Sequence, residues 1–315
     1  MHTDGLRVDV CIPVYRPGEK FEKLLYMLSR QTVKISVLIC MYTREDSEDS
    51  YERRDIDGHS LNIKVREIDK KDFDHGRTRN EAAKCSDADV IIFMTDDAIP
   101  RDEKLIENLL KGLSYDNTAV CYARQLPSEN SSLTERFSRE FNYGDESLLK
   151  SEEDIKTMGI KAFFCSNVCA AYRKDIFDRL GGFTDTTIFN EDMIFARKVL
   201  DNGYRIRYEA DAGVIHSHDY TNMQQLKRNF DLAVSQKLHP ETFGGISSES
   251  EGMRYVKAAY GYMKQRGKAY LMFPFLVTSV YKYIGFKLGK NYDRLPGKLV
   301  KRLSMNRDFF EKTDI

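Results

Sequence analysis

Four short β-rich runs fall within the first 95 residues: RVDVCIPV (7–14), KISVLICMY (34–42), NIKVREI (62–68) and DVIIFMT (89–95). Segments with helical spacing of apolar residues separate some of them, FEKLLYMLSRQ (21–31) before the second and GRTRNEAAKCS (76–86) before the fourth. Strand and helix alternating at this interval predict a parallel, doubly wound sheet. In such sheets ligands bind outside the carboxyl ends of the strands. The loops at 13–18, 41–47, 69–80 and 95–99 are therefore expected to converge on one crevice.

The pattern changes after Pro100. DEKLIENLLKGLS reads as a helix and NTAVCYARQLP (117–127) as a strand, whereas 128–160 is polar and reads as irregular. KAFFCSNVCAAYRKDIFDRLGGF (161–183) predicts a strand, a turn and a helix stopped at Gly181–Gly182. FNEDMIFARKVLDNGY (189–204) predicts a helix with an acidic first turn, and IRYEADAGVIHSHDY (206–220) two short strands. From 222 onward the chain reads as mainly helical. A length of 315 residues is long for one compact core. The expected division is one large domain over 1–235 and a helical region over 236–315.

Lys plus Arg and Asp plus Glu both number 49, so no global field draws the chain to nucleic acid and any charge argument must be local. The six cysteines lack disulfide-scaffold or zinc spacing and read as reduced thiols of a cytoplasmic protein. No basic region followed by an apolar segment opens the chain, so no signal peptide is expected. The apolar stretch 270–286 is interrupted by Pro274 and Lys282 and is shorter than the ~20 residues of a spanning helix.

Five constellations carry chemistry. Asp96 and Asp97 end the fourth run, where they either cap a following helix or hold a hard divalent cation, Mg2+ or Mn2+. HGRTRN (75–80) opens a helix with two arginines, whose forks, like free helix N–H groups, suit phosphate oxygens; a solvated basic helix start is the alternative. Tyr15, after Pro13, is placed to stack on a base or to pack locally. Glu191 and Asp192 are either first-turn carboxylates or a general base with its neighbour. His216 and His218 share a face at the period of a strand, as co-ligands would. No G-x-G-x-x-G or P-loop pattern is present, which argues against dinucleotide and P-loop chemistry.

In this order, VCIPVYRP, HGRTRN, FMTDDA, FFCSNVCAAYR, GGF, NEDMIFA and VIHSHDY resemble family 2 glycosyltransferases over roughly residues 7–235. The FMTDDA, FFCSNV and HSH variants look most like bacterial rhamnosyltransferases of cell-surface polysaccharide synthesis. The resemblance implies the GT-A fold, a Rossmann-like doubly wound mixed sheet in an α/β protein, here with a mainly helical C-terminal extension. It implies metal-dependent, inverting transfer of a sugar from a nucleotide donor, dTDP-rhamnose or a UDP-sugar, to a polysaccharide or lipid-linked oligosaccharide. Carried over, Asp192 is the catalytic base with Glu191 beside it, and Asp97 binds the metal with His216 or His218. Pro13, Tyr15, Arg77, Arg79, Asn80 and Asp96 line the nucleotide site, and Ser166 and Asn167 contact sugar. Thr95 stands where the family's first aspartate usually is. Met41 and Tyr42 replace the acids that usually follow the second strand, with Asp46 as the substitute.

Two other classes remain to be distinguished. A metal-dependent phosphohydrolase would use Asp96, Asp97 and the histidines, but leaves HGRTRN and NED without a role. A non-catalytic nucleotide-sugar module would bind without turnover. Residues 281–307 carry eight Lys/Arg against the single acid Asp293. With 270–286 they read either as a peripheral anchor on the inner face of an anionic membrane or as a helix packed on the catalytic domain with a solvated basic face.

Overall fold

A computed structural model describes residues 5–45, 60–218, 220–245 and 249–312. The chain divides into two compact units. The first contains residues up to 128, 143–185 and 191–216, and the second contains 129–142, 186–190 and 217–315. The sheet-bearing unit thus ends at His216, and the stretch 217–235, which the sequence reading assigned to the large domain, belongs to the second unit.

In the first unit, strands β1 (Val8–Val14), β2 (Val37–Arg44), β3 (Ile63–Asp69) and β4 (Val90–Met94) match the four β-rich runs. Helices α1 (Glu19–Ser29) and α2 (His75–Lys84) connect them. The four strands are parallel, in the order β3-β2-β1-β4, so the winding direction reverses between β1 and β4. Such a reversal opens a crevice at the strand ends. After the short β5 (Ile99–Pro100) and α3 (Leu105–Leu113), the sheet continues through β6 (Thr118–Leu126), β8 (Cys169–Arg173) and β9 (Arg205–Ile215). Strand β8 runs antiparallel to both β4 and β6, which makes the sheet mixed.

Alternation along β4 sorts its side chains. Ile92 and Met94 join Val10, Ile12, Leu24 and Leu28 in one core. Phe93 points to the other face, with ring centroids 5.5 Å from Tyr172 and 5.1 Å from Phe183. Phe183 in turn lies 5.5 Å from Phe195 of α7 (Glu191–Asp201). This aromatic cluster fixes α7, and with it the two acids at its start.

Three sequence expectations need correction. The 128–160 stretch is ordered: it forms α4 (Leu133–Asn142), β7 (Leu148–Lys150) and the short α5 (Ile155–Met158). Phe137 of α4 is buried among Tyr255, Tyr262 and Phe275, apolar contacts too distant in sequence to read locally. The two short strands expected over 206–220 are one, β9, whose ladder with β6 slips between Ala123 and Arg124. Residues 210–212 take no part in that ladder, and the interruption looks like a strand break in the sequence. The strand expected near 161 starts only at Cys169, and the preceding residues form the turn that carries Ser166 and Asn167. Helix α6 (Lys174–Arg179) then leads to the glycine turn.

The second unit is helical. It holds α4, α8 (Asn222–Leu238), α9 (Pro240–Phe243), α10 (Glu249–Gln265), α11 (Met272–Lys290), α12 (Gly297–Leu303) and α13 (Phe309–Lys312). Thr221 and Gln224 close a capping box at the start of α8. Helices α8 and α11 approach closely: a Cβ on Gly285 would lie 2.1 Å from the Leu226 carbonyl oxygen, and one on Gly289 2.3 Å from that of Phe230. Among the described residues no helix is long and apolar enough to cross a membrane. All six cysteines are free, and only Cys85 is not buried.

The glycine of HGRTRN has a packing role. A Cβ on Gly76 would meet the Thr184 carbonyl oxygen at 2.1 Å, and a backbone atom cannot yield as a side chain can. Gly76→Ala is expected to destabilise the fold by about 1–3 kcal/mol, the usual cost of overpacking. Urea unfolding of the two proteins measures the difference.

Candidate active site

The site grows from the strand ends of the first unit. Tyr15, the first residue after β1, donates its backbone N–H to Asp96 Oδ2 at 3.1 Å, joining the two strands where the winding reverses. Pro13 lies within β1, two residues earlier. The Tyr15 hydroxyl donates to Glu45, which also pairs with Arg16 and, at 3.1 Å, with Lys70. Hydrogen bonds from Tyr15, Arg16 and Lys70 hold the Glu45 carboxyl down at about 2. Asp46, the expected substitute acid, lies outside the described residues. Burial raises Asp96 above its ordinary value, and the Asp97 charge adds to this although the Tyr15 N–H opposes it.

Asp97 faces His216, which stands just beyond β9, with Oδ1 3.4 Å from Nε2. The other ring nitrogen, Nδ1, is 3.0 Å from Gln125 Oε1. In this amide orientation Gln125 accepts from Nδ1–H, which leaves Nε2 facing the carboxylate. A carboxylate oxygen and an imidazole lone pair side by side form a donor set that fits Mg2+ or Mn2+. Thr95, one residue short of the acids, has its Oγ1 buried without a hydrogen-bond partner among the described residues. His218 belongs to the second unit. There it stacks on Tyr220 and lines a cavity of about 300 Å3 together with Tyr255 and Lys282.

Gln125, on β6, has no signal in the sequence. Its Nε2 donates to Ser166 Oγ at 2.9 Å and also to the Tyr143 hydroxyl, so it links His216 to the turn before β8. The next residue, Asn167, is buried and gathers the acids. Its backbone N–H donates to Asp192 Oδ2 at 3.0 Å and its Nδ2 to Glu191 Oε1 at 3.2 Å, while its Oδ1 accepts from Tyr172 at 2.7 Å. Of the two residues expected at the sugar, Asn167 therefore braces the two carboxylates, while Ser166 accepts from Gln125. Buried Lys150 supports the same turn by donating to the Lys161 and Phe164 carbonyls at 3.2 and 2.6 Å, and burial lowers its amine to about 7.

Arg79 completes the network. Its Nη1 lies 3.3 Å from Glu191 Oε1 and donates to the His75 carbonyl at 2.9 Å, with both side chains buried. Burial pushes Glu191 up, but Arg79, then His75 and the Asn167 amide, outweigh it and hold this carboxyl below its ordinary value. Asp192 goes the other way: burial, then the Glu191 charge, raise it to about 7. One acid of the pair is thus kept ionised and the other poised near neutrality.

The other HGRTRN residues are engaged locally. The Asp74 carboxylate caps α2, accepting from the backbone N–H groups of Gly76 and Arg77 at 3.0 and 2.9 Å. Those groups are not open to phosphate, contrary to the sequence expectation for the helix start. The exposed Arg77 side chain donates to the Asp72 carbonyl at 2.6 Å. The Asn80 amide spans Phe183 and Asp185, donating to each at 2.9 and 3.0 Å, and so ties α2 to the glycine turn.

Residues 9–181 match the family model described as glycosyl transferase family 2. The chain is 37% identical over 309 residues to the O-antigen chain rhamnosyltransferase RfbN of Salmonella typhimurium, spanning 97% of this chain and 96% of that protein. It is 36% identical over 305 residues to the O-antigen chain rhamnosyltransferase WbaN of Salmonella anatum, at 95% and 94% coverage. Among solved structures, it is similar to a mannosyltransferase of Pyrobaculum calidifontis in complex with GDP-Man and Mn2+. That match has a TM-score of 0.63 at 15% identity and covers 92% of this chain and 88% of the other. At that identity the likeness speaks for the fold, which is GT-A.

The opposed shifts of the acid pair can be tested directly. In carboxyl 13C NMR, Asp192 is expected to titrate with a midpoint near 7. Glu191→Gln removes the neighbouring charge, so the midpoint should fall; an unchanged midpoint would assign the shift to burial alone.

Proposed function

The chain belongs to glycosyl transferase family 2, and from the site this glycosyltransferase carries we propose that it moves L-rhamnose from dTDP-rhamnose to a hydroxyl of a growing, lipid-linked cell-surface polysaccharide. The rhamnosyl reading follows the two O-antigen relatives, each matched over more than nine-tenths of both chains. We place the reaction on the cytoplasmic side, at the inner face of the cell membrane, where a lipid-linked acceptor is presented.

The observation that carries the mechanism is the buried pair at the start of α7, with Asp192 raised to about 7 beside a Glu191 held ionised by Arg79. A general base works best when its pKa lies near the working pH. Asp192 takes the proton of the acceptor hydroxyl as that oxygen attacks the anomeric carbon. The bond from this carbon to the diphosphate oxygen breaks on the opposite side, the configuration inverts, and nucleoside diphosphate leaves with the bonding electrons. Asn167 fixes the direction of Asp192, and burial together with the Glu191 charge keeps the base from being stabilised as an ordinary carboxylate.

Asp97 and His216 are the residues we assign to a divalent cation, with His218, two positions further along the chain, as third ligand. Bound there, the ion supplies positive charge to the departing diphosphate. Tyr15 and Pro13 are assigned to the nucleotide with Asp96 and Asp46, and exposed Arg77 to the diphosphate. Arg79 and Asn80 act on this site from behind, through Glu191 and the glycine turn. Ser166 and Asn167 border the sugar.

Asp192→Asn is expected to lower transfer by ~10²–10⁴-fold, the usual cost of losing a general base, while leaving the thermal midpoint close to that of the parent. Near-parental turnover would remove Asp192 from this role. Chelation should abolish transfer, Mn2+ or Mg2+ should restore it, and Asp97→Ala should not respond to either. Nucleoside diphosphate release across a panel of donors separates dTDP-rhamnose from a UDP-hexose. Release of phosphate from simple esters instead would point to a phosphohydrolase.

A further inference from the structure

Helix α11 has two unlike faces. Its inner face packs Phe275, Gly285 and Gly289 within the second unit, and the glycines bring it against the α8 backbone. Its outer face carries Phe273, Leu276, Val280, Tyr283 and Ile284, which are 76, 43, 54, 57 and 42% exposed. At 3.6 residues per turn these positions fall within a stripe roughly 100° wide, the pattern of a buried helix face. Here the stripe faces outward, and Tyr270, just before the helix, extends it at 71% exposure.

The charge around the stripe identifies its partner. From Lys264 to Arg307 the sequence has eleven Lys/Arg and one acid, Asp293, although the whole chain is balanced. That acid is paired with Lys237 of α8. Exposed Lys264, Arg266 and Lys268 precede the stripe, and exposed Lys287, Arg294 and Lys298 stand on it or follow it. Lys282, which the sequence reading counted among the anchoring charges, is on the inner face, lining the cavity 5.6 Å from the Tyr255 ring. The stripe itself is therefore purely apolar up to Lys287, with cations at both ends.

We infer that the outer face of α11 docks on an anionic lipid bilayer, with Phe273, Leu276, Val280, Tyr283 and Ile284 entering the headgroup–acyl boundary and the flanking lysines and arginines meeting lipid phosphates. An apolar stripe bordered by basic residues is the composition of an interfacial helix. Self-association along α11 is disfavoured, because a two-fold contact would bring these same basic borders together. The inference deepens the reading of a lipid-linked acceptor, but its evidence is the geometry and charge of α11 alone.

The test is flotation of the full-length protein with vesicles of phosphatidylcholine alone or with phosphatidylglycerol. The parent should float with the anionic vesicles, less in high salt, and little with neutral ones. The double variant Phe273→Ser/Val280→Ser changes two exposed side chains and should lose at least ten-fold in the floated fraction with an unaltered circular dichroism spectrum. Lys287→Glu should lose a smaller share, all of it at low salt. Failure of the parent to float, or flotation of the double variant at the parental level, overturns the inference. So does a parental dimer that the double variant dissolves, or retention of the parent on an acidic protein surface but not on vesicles. Transfer to a soluble saccharide, measured without vesicles, should be unchanged in both variants. Loss of transfer in the parent with flotation intact would count against the transferase reading and leave the docking face standing.

Discussion

Two carboxylates adjacent in sequence cannot both be charged and buried without compensation, and the site is organised around that conflict. Arg79, 3.3 Å from Glu191, compensates one acid and leaves Asp192 to take the shift. Arg79 can do so because α2 is anchored by Asn80 to the glycine turn, while the aromatic packing of Phe93, Phe183 and Phe195 holds α7 on the same side of the sheet. The electrostatics of the acid pair and core packing therefore depend on the same few contacts. A change in the aromatic cluster would be felt as a change in the acidity of Asp192.

The polar network extends further than the acid pair. Gln125 reaches from His216 to Ser166, and Asn167 carries the connection to both acids. The orientation of the His216 ring and the direction of Asp192 thus share one support, the turn before β8. Lys150 holds that turn from below through backbone carbonyls. Amide and amine donors aimed at carbonyls and carboxylates give a preorganised arrangement that does not have to be assembled when substrate arrives.

What could be read from the sequence was what depends on local periodicity and on the rule for strand ends. The four parallel strands, Asp96 and Asp97 at the end of β4, and Glu191 and Asp192 at the start of α7 all follow from short-range patterns. The roles of Gln125, Asn167 and Arg79 do not, because each is defined by a partner tens to more than a hundred residues away: Arg79 by Glu191, Gln125 by His216. Gly76 illustrates the difference. In the sequence it suggested a phosphate loop, whereas in the fold it admits the Thr184 carbonyl and its N–H is already capped by Asp74. The order in 128–160 was hidden for the same reason, since Phe137 gains its burial from α10 and α11. Lys282 was miscounted because composition carries no face; only the helix phase separates it from Lys287.

The cysteines provide an internal clock. Cys165 and Cys169 bracket Ser166 and Asn167, and burial pushes both thiols up and away from the reactive range, Cys165 to about 12. In the native protein an alkylating reagent meets only Cys85 at the surface. Modification at 165 or 169 therefore requires the turn before β8 to open, and its rate would report how often the brace on Glu191 and Asp192 lets go.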